Sequence, residues 1–255
     1  MLTDSHTHLY LDSFAGDRNE VVERALEEGI TRMYLPNIDT GTVEPLLNLS
    51  QTFPSHCFPM LGLHPTSVKA DYAKELEVIA GHMEQHRVAA IGEIGIDLYW
   101  DKTHQPEQEA AFQQQLEQAK EMDLPVVIHA RESFKEIFTV MDRVWDPSLR
   151  GIFHSFTGGK EELEKIRDYR FMIGINGIVT FKNSGLAEVA REIPPDQLLL
   201  ETDAPFLAPV PFRGKRNESS YLIHVAGKLA EIHGMSLERL ASVTTENALK
   251  IFTLH

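Results

Sequence analysis

The segment Thr3-Asp4-Ser5-His6-Thr7-His8-Leu9 lies almost at the start of the chain and has the alternation of an extended strand. Side chains two positions apart on such a strand project to the same side, so His6 and His8 are expected to face a common point. Two imidazoles do not complete a divalent metal site, which needs four or more ligands. The pair therefore predicts a metal site only if further ligands come from other parts of the chain.

Length and composition indicate one globular domain that spans residues 1–255. The chain is 42% hydrophobic and 24% charged, and α/β barrels of this length fold as single domains. No apolar run approaches the roughly 18 to 20 residues needed to cross a bilayer, and no signal peptide is recognisable. We therefore expect a soluble, cytoplasmic protein. The single cysteine, Cys57, cannot form an internal disulfide and is given no role.

The formal net charge of −14 argues against a protein that grips nucleic acid through a broad basic face. Such a face depends on many Lys and Arg contacts to phosphates. A phosphate substrate is still compatible with this charge, because bound divalent ions supply strong positive charge inside an acidic molecule. The charge balance predicts weak binding that is focused on one site.

Short apolar runs rich in β-forming residues alternate with longer amphipathic runs along the chain. The apolar runs predict eight strands, at Leu2–His8, Thr31–Asn37, Phe58–His64, Val88–Ile94, Pro125–Ala130, Gly151–Ser155, Phe171–Asn176 and Leu198–Thr202. The amphipathic runs predict helices at Asp17–Glu28, Thr42–Phe53, Tyr72–His86, Pro106–Met122, Ser133–Val144, Lys160–Tyr169, Ser184–Glu192 and Tyr221–Gly234. The tail, Ser236–Phe252, predicts two short helices. Eight repeats of strand and helix indicate an α/β protein with a closed (β/α)₈ TIM barrel, and the alternative is an open doubly wound sheet.

Residues with metal-binding side chains end most of the predicted strands. In a (β/α)₈ barrel the active site is built at these carboxyl ends. Imidazole combined with carboxylate suits Zn, Mn or Fe better than an all-oxygen calcium site, and the set is large enough for two divalent ions. The candidate metal ligands are His6, His8, Glu93, His129, His154 and Asp203.

The order of the strands suggests how these ligands divide. Strand eight closes on strand one, so His6, His8 and Asp203 are expected to hold one ion, and the histidines of strands five and six a second. Glu93 on strand four could bridge the two ions with its two carboxylate oxygens. Two ions about 3.5–4 Å apart can generate a hydroxide and hold both the attacking and the leaving oxygen of a displacement.

Three further polar residues have more than one interpretation. His64, in Gly62-Leu63-His64-Pro65, either contacts a substrate oxygen or hydrogen-bonds within the metal site. Glu201 lies two residues before Asp203 and so faces the same way, as a proton-handling group, as the partner of a metal ligand, or as a structural hydrogen-bond acceptor. Asp97, after strand four, is expected to fix its loop rather than to act in catalysis.

The loops that follow the strands carry basic and aromatic side chains. The longest irregular connection, about Asp203 to Ser220, holds the basic cluster Arg213-Gly214-Lys215-Arg216, which indicates a binding loop. Arg131, like Arg213 and Arg216, follows a strand end, where it can contact an anionic substrate. Aromatic side chains in such loops can stack nucleobases, although covering the barrel mouth is their commoner use. The aromatic residues concerned are Tyr99, Trp100, Phe156, Phe181 and Phe206.

The order of these residues is similar to that of a known family. The matching segments are Asp4-Ser5-His6-Thr7-His8-Leu9, Gly62-Leu63-His64-Pro65, Ile91-Gly92-Glu93-Ile94-Gly95-Ile96-Asp97, His129-Ala130-Arg131, His154-Ser155-Phe156-Thr157-Gly158 and Glu201-Thr202-Asp203-Ala204-Pro205-Phe206-Leu207. Their combination resembles the TatD family of metal-dependent hydrolases across essentially the whole chain.

The resemblance implies a TIM barrel of the amidohydrolase superfamily that depends on divalent metals such as Zn, Mg or Mn. It also implies deoxyribonuclease activity, typically exonucleolytic from the 3′ end, with single-stranded DNA as the preferred substrate and partner. We further expect a monomer without an obligate protein partner. The family's metal ligands match all six candidates. Ser219 stands where proline usually follows Asn-Glu, and Thr157 where serine is commoner. Strand four offers Glu93 and no lysine, which separates the chain from superfamily relatives that bridge two metals with a carboxylated lysine.

The resulting hypothesis is hydrolysis of a DNA phosphodiester by metal-activated water. Asp203 would orient or deprotonate the water, Glu93 and Glu201 would complete the catalytic set, and Arg216 or His64 would stabilise the extra charge on phosphorus. One alternative is a metal-dependent amidohydrolase, lactonase or deaminase that acts on a small molecule. The other is a non-catalytic, metal-stabilised module that binds nucleic acid.

Overall fold

Strands and helices alternate along the chain as the sequence predicts. The computed structural model describes residues 1–252. The strands within this range are β1 Leu2–Asp4, β2 Ile30–Pro36, β3 Cys57–Met60, β4 Ile91–Asp97, β5 Val126–Arg131, β6 Gly151–Phe153, β7 Met172–Ile175 and β8 Leu198–Leu200. The helices are α1 Arg18–Glu27, α2 Thr40–Thr52, α3 Tyr72–Gln85, α4 Gln105–Glu121, α5 Phe134–Val144, α6 Lys160–Asp168, α7 Leu186–Ala190, α8 Leu222–His233 and α9 Leu237–Ile251. None of these helices has the length and apolarity that a bilayer crossing requires.

The strands form one closed cycle of parallel neighbours. β1, β2 and β3 pair in that order, and so do β4 to β8. A parallel bridge between Leu61 and Ile91 joins β3 to β4. On the other side, Ser5 N donates to the Leu200 carbonyl at 2.9 Å and so joins β8 to β1. The closed TIM barrel is therefore confirmed, and the open doubly wound alternative is wrong.

Alternate residues along the strands belong to two different apolar layers. On β5, Val126 and Ile128 pack in the large layer shared with the helices, whereas Val127 packs in a smaller cluster inside the barrel. The inner cluster also contains Tyr34 of β2, whose ring stacks on Phe252 after α9 with ring centres 3.9 Å apart. The carboxyl-terminal end of α9 therefore helps to close one end of the barrel.

On three strands, the residues that point into the barrel change from apolar to polar toward the carboxyl-terminal end. Val127, Ile152 and Leu199 belong to the inner cluster, and the residues two positions later are histidine, histidine and glutamate. Because side chains alternate with period two, these polar residues continue the inner face beyond the apolar plug. The fold thus places polar side chains at the carboxyl-terminal mouth.

Gly95 allows β4 and β5 to come close together at this mouth. Its φ of 142° is a conformation that side chains rarely adopt, and an added Cβ would lie 2.0 Å from the carbonyl oxygen of His129. Only glycine fits at this point of the strand.

The structure differs from the predicted elements at the strand ends and in the tail. β1 ends at Asp4, β3 at Met60 and β6 at Phe153, so the histidines that follow these strands lie in irregular segments. The tail forms the single helix α9, and the prediction of two short helices is wrong. No glycine or proline interrupts this segment, Ser236 caps it by accepting from Arg239 N, and its buried residues recur at helical spacing.

Candidate metal centre

A cavity of about 550 Å³ opens at the carboxyl ends of the strands. Five of the six predicted metal ligands line it, and the sixth, His6, lies fully buried directly beneath. The five ligands in the cavity wall are His8, Glu93, His129, His154 and Asp203. The structure therefore brings the whole predicted set together, although the residues come from five strand ends.

Glu93 lies at the centre, and its Oε2 faces the ligands that follow β1. His6 Nε2 is 3.1 Å from Oε2 and His8 Nε2 is 3.6 Å from it, while the two ring nitrogens are 3.2 Å apart. Asp203 Oδ1 lies 3.8 Å from His6 Nε2 and 3.6 Å from His8 Nε2. These atoms form a compact group of two imidazole nitrogens and two carboxylates.

The other oxygen of Glu93 faces a second group of histidines. His129 Nδ1 is 2.7 Å from Oε1, His64 Nε2 is 3.4 Å away and His154 Nε2 is 3.5 Å away. Each of the two Glu93 oxygens therefore serves its own group, as a bridging carboxylate would. His154 also stacks on His6 with ring centres 3.4 Å apart, so it lies between the two groups rather than in the second alone.

Hydrogen bonds behind the rings determine which nitrogen of each histidine faces the cluster. Tyr10 Oη donates to the Pro36 carbonyl at 2.6 Å, so it accepts from His8 Nδ1 at 2.9 Å and leaves His8 Nε2 with a free lone pair. His129 Nε2 lies 2.9 Å from Asp97 Oδ2, so Nδ1 is the nitrogen that faces Glu93. A carboxylate or phenol behind a metal-binding histidine has this orienting effect in many metal sites.

Glu201 takes the corresponding place behind His154. Its Oε1 lies 3.1 Å from His154 Nδ1 and accepts the Ser155 N–H at 2.6 Å. The carboxylate is fully buried. It fits there because residue 174 is glycine, since a Cβ atom at that position would lie 2.1 Å from Glu201 Oε2. The sequence left three roles open for Glu201. The geometry favours the role of partner to a metal ligand, His154.

His64 has the opposite arrangement of ring nitrogens. Its Nδ1 accepts the backbone N–H of Thr66 at 3.1 Å, so in the neutral ring the proton is on Nε2, which faces Glu93 and the cavity. Burial lowers the pKa of His64 and favours this neutral ring. His64 can thus donate a hydrogen bond into the cavity.

The pKa values of the cluster divide according to charge and burial. Burial lowers the pKa of His6 to about 4. Burial acts in the same direction on His154, but the nearby carboxylates of Glu201, Glu93 and Asp203 outweigh it and raise the pKa to about 10. Burial would raise the pKa of Glu93, whereas the surrounding histidines hold it well below its usual value. When no other cation is bound, the positive charge of protonated histidines thus balances the negative charge of the carboxylates.

The donor set fits divalent metal ions. Three groups of ligand atoms lie within 4.8 Å of one another: His6 with His8 and Asp203, His6 with Glu93 and His154, and His64 with Glu93 and His129. Nitrogen and carboxylate oxygen donors of this kind suit Zn, Mn and related ions. The close approach of His6 Nε2 and His8 Nε2 is also what two ligands of one ion require, because a cation between two lone pairs removes their repulsion.

A buried network behind the first group was missed by the sequence interpretation. Asp4 is fully buried, and it accepts from Thr202 N at 2.9 Å, Thr202 Oγ1 at 2.6 Å and Ser219 Oγ at 2.7 Å. It thereby fixes the start of the His6 segment to the residue before Asp203. Asp4 and Tyr10 continue the spacing of two on either side of the histidine pair, and this extended period is the signal that could have identified them.

The predicted basic residues do not all reach the cavity. Arg131 lines it, and the rings of Tyr99 and Trp100 lie 3.8 and 5.4 Å from the Arg131 guanidinium carbon. Arg213 is not part of the cavity wall in the described chain and lies over the Phe181 ring at 4.5 Å. Its contact with substrate has no support in this geometry.

Arg216 is held away from the site. Its guanidinium donates to both carboxylate oxygens of Asp17, at 2.7 and 2.6 Å, and to the Ser13 carbonyl at 2.8 Å. The hydrogen bonds with Asp17 raise the pKa of Arg216, and the charged group is already paired. Arg216 therefore ties the loop to the start of α1 and is not part of the cavity wall of the described chain, and its contact with substrate stays a prediction.

Comparisons with known proteins agree with this geometry. Residues 3–253 match the model of the family described as TatD related DNase. The chain is 38% identical over 256 residues to an uncharacterized metal-dependent hydrolase, YabD, of Bacillus subtilis, with 100% of both chains covered. It is 35% identical over 261 residues to the 3′-5′ ssDNA/RNA exonuclease TatD of Pantoea ananatis, with 98% of this chain and 99% of that one covered. Among solved structures, the TatD homolog YjjV of Escherichia coli superposes with a TM-score of 0.93 at 27% identity and covers 100% of this chain and 98% of that chain.

Proposed function

This chain belongs to the TatD-related DNase family and is a metal-dependent hydrolase, and we propose that it hydrolyses phosphodiester bonds of single-stranded nucleic acid from the 3′ end. The observation that carries the proposal is the position of Glu93, with one carboxylate oxygen toward each of two ligand groups. A relative that is 35% identical is a 3′-5′ ssDNA/RNA exonuclease by name, which supports the substrate class and the polarity.

The proposed cofactors are two divalent ions, Zn, Mg or Mn. His6, His8 and Asp203 would hold one, His129 and His154 the other, and Glu93 would bridge them. Such ions supply Lewis acidity, which lowers the pKa of water and neutralises charge on a phosphoryl group. Because His154 lies between the two groups of ligands, it would be able to bind either ion.

The side chains around the ions divide the remaining tasks. The Asp203 carboxylate, which is 13% exposed at the cavity, is placed to take a proton from the attacking water. His64 would donate its Nε2–H to a phosphate oxygen, since Thr66 fixes the other ring nitrogen as an acceptor. Arg131 would pair with the charge of the substrate at the mouth, and Glu201 would hold His154 in place.

Degradation of end-labelled oligonucleotides tests this proposal. Purified protein would be supplied with Mg²⁺, Mn²⁺ or Zn²⁺ and given single- and double-stranded DNA and single-stranded RNA labelled at either end. We expect stepwise shortening of single strands from the 3′ end. A panel of lactones and cyclic amides tests the carbonyl-hydrolase alternative, and turnover confined to that panel would refute the nuclease proposal.

An Asp203→Asn variant tests the proposed proton acceptor. General base catalysis contributes roughly 10²- to 10⁴-fold, so kcat should fall by that factor while the protein stays folded. Asp196→Asn is the matched control, because Asp196 is exposed just before β8, whereas Asp203 follows it. Equal kcat values for the two variants would remove Asp203 from this role.

Three expectations from the sequence stay predictions. They are the single domain over residues 1–255, the monomeric state and the cytoplasmic location. Sedimentation of the purified chain would test the monomeric state, and limited proteolysis would test the single domain.

A further inference from the structure

The aromatic side chains that stand most exposed are concentrated at the mouth of the metal site. Among residues 1–252 they are Trp100, Phe206 and Tyr99, with 72%, 52% and 48% of their surface exposed. Trp100 and Phe206 line the main cavity, and Tyr99 lies beside Trp100 with the two rings edge to face. Because an exposed tryptophan leaves a large apolar surface in water, its place at the mouth indicates contact with a ligand.

Trp100 also borders a second cavity beside the first. This side cavity has a volume of about 170 Å³ and shares Thr66, Asp97 and Trp100 with the wall of the main cavity. This cavity is about a third of the size of the main cavity, which suits one heterocyclic ring better than a whole nucleotide. Lys69 and His104 supply polar groups on its far side.

A fixed positive charge lies beside the aromatic rings, in the same cavity wall as the metal ligands. The Arg131 guanidinium carbon is 3.8 Å from the Tyr99 ring centre and 5.4 Å from that of Trp100. Arg131 follows His129 at the end of β5 and lines the main cavity. A phosphate at Arg131 would therefore lie in the same cavity as the metal ligands and next to Trp100.

We propose that Trp100 stacks on a nucleobase next to the phosphate that is cleaved, and that the ring of this base enters the side cavity. The inference rests on the proposed function, because it identifies the part of a single-stranded nucleic acid that the site recognises. Stacking on an aromatic ring tolerates every base, so this contact would give affinity without sequence preference. A duplex end keeps its bases paired and stacked, and would have to open first.

Tryptophan fluorescence gives a direct test, because the chain has only two tryptophans, Trp100 and Trp145. A Trp145→Phe variant leaves Trp100 as the single reporter. It would be titrated, in Mg²⁺, with oligothymidylate that carries phosphorothioate linkages to slow hydrolysis, and with an abasic oligomer of the same length and linkages. We expect quenching by the base-bearing oligomer and little by the abasic one. Equal quenching by both, or none by either, would overturn the proposal.

Steady-state kinetics provide the second measurement. Trp100→Ala should raise KM for base-bearing single strands by roughly five- to a hundredfold and leave KM for abasic strands unchanged, whereas Trp100→Phe should restore most of the loss. Leu249→Ala, which truncates an exposed apolar side chain on α9, is the control. Equal KM values for Trp100→Ala and Leu249→Ala would contradict base stacking.

The results separate this inference from the proposed function. A protein that cuts single strands but shows no Trp100 quenching would keep the function and lose the subsite. A protein that cuts no strand with any metal but shows base-dependent quenching would keep the subsite and lose the nuclease activity. If Trp100→Ala instead dissociates an oligomer in sedimentation, the aromatic surface is a protein interface and the proposal is wrong.

Discussion

Replacement of Asp97 by asparagine is expected to weaken the binding of one divalent ion. The two carboxylate oxygens of Asp97 have separate partners: Oδ1 accepts the Tyr99 N–H at 3.0 Å, and Oδ2 lies 2.9 Å from His129 Nε2. An asparagine has one acceptor oxygen, so either the backbone donor or the imidazole donor loses its partner. The His129 ring is then no longer fixed in the tautomer that presents Nδ1 to the cluster.

The size of the effect can be reasoned in two ways. Removal of a partner behind a metal-binding histidine usually lowers metal affinity roughly 10- to 100-fold, which corresponds to about 1.4–2.8 kcal/mol. A buried donor left without a hydrogen bond costs about 1–3 kcal/mol, and Asp97 is only 3% exposed. The two ranges agree, and the loss should fall on the ion that His129 would hold.

Calorimetric titration of metal-stripped protein with Mn²⁺ or Zn²⁺ measures this loss. In Asp97→Asn one binding constant should fall by the stated factor while the other stays close to that of the unaltered protein. Asp146→Asn is the matched control, because Asp146 also accepts the N–H two residues ahead, from Ser148 at 2.8 Å, but does not line the cavity. Two unchanged binding constants in a folded Asp97→Asn protein would refute the reasoning.

Other substitutions test the surroundings of the site. Ser219→Ala removes the 2.7 Å hydrogen bond to buried Asp4 and should lower the free energy of unfolding by about 1–3 kcal/mol, measured by urea denaturation. Arg216→Gln should destabilise the protein more at pH 6 than at pH 3: the hydrogen bonds from Arg216 lower the pKa of Asp17 below its ordinary value of 3.8, so their stabilisation is complete well above that value and is lost as the pH falls toward and through the lowered pKa. Urea denaturation at both pH values measures the difference, and an effect independent of pH would exclude this cause. Phe112→Ala should lower the free energy of unfolding by about 3–5 kcal/mol, because this α4 side chain is fully buried, and an effect under 1 kcal/mol would contradict its place in the core.

Periodicity was enough to predict the barrel and the convergence of most of the candidate metal ligands. Apolar runs and amphipathic runs identify strands and helices because burial on both faces of a parallel sheet leaves little freedom in composition. The same period of two carries the inner face from Val127 to His129 and from Leu199 to Glu201. The ends of the strands were less predictable. The histidine segments after β1, β3 and β6 make hydrogen bonds outside the strand ladder, for example from Asp203 N to the His6 carbonyl at 2.9 Å.

Partners that are distant in sequence could not be predicted, because local pattern contains no information about them. Asp97 was expected to fix its loop, which it does through Tyr99 N, but its second oxygen reaches His129 across the β4–β5 pair. Arg216 was expected to contact substrate, and Asp17 of the first βα loop holds it. Asp203 also has φ of 58°, a left-handed conformation that is uncommon outside glycine, and the sequence pattern gives no sign of it.

The charges around the cavity indicate that metal ions are needed for substrate binding as well as for the chemical step. Three carboxylates line the cavity wall, Glu93, Asp97 and Asp203, and Arg131 is the one arginine or lysine there in the described chain. When the histidines are neutral, as metal ligands must be, a phosphodiester would meet net negative charge from these side chains, in a protein whose formal charge is −14. The two divalent ions that we propose would reverse that balance within the space of the candidate ligands. An acidic hydrolase can therefore accept an anionic strand at one point without a broad basic face, and its affinity should depend on metal occupancy more than on surface charge.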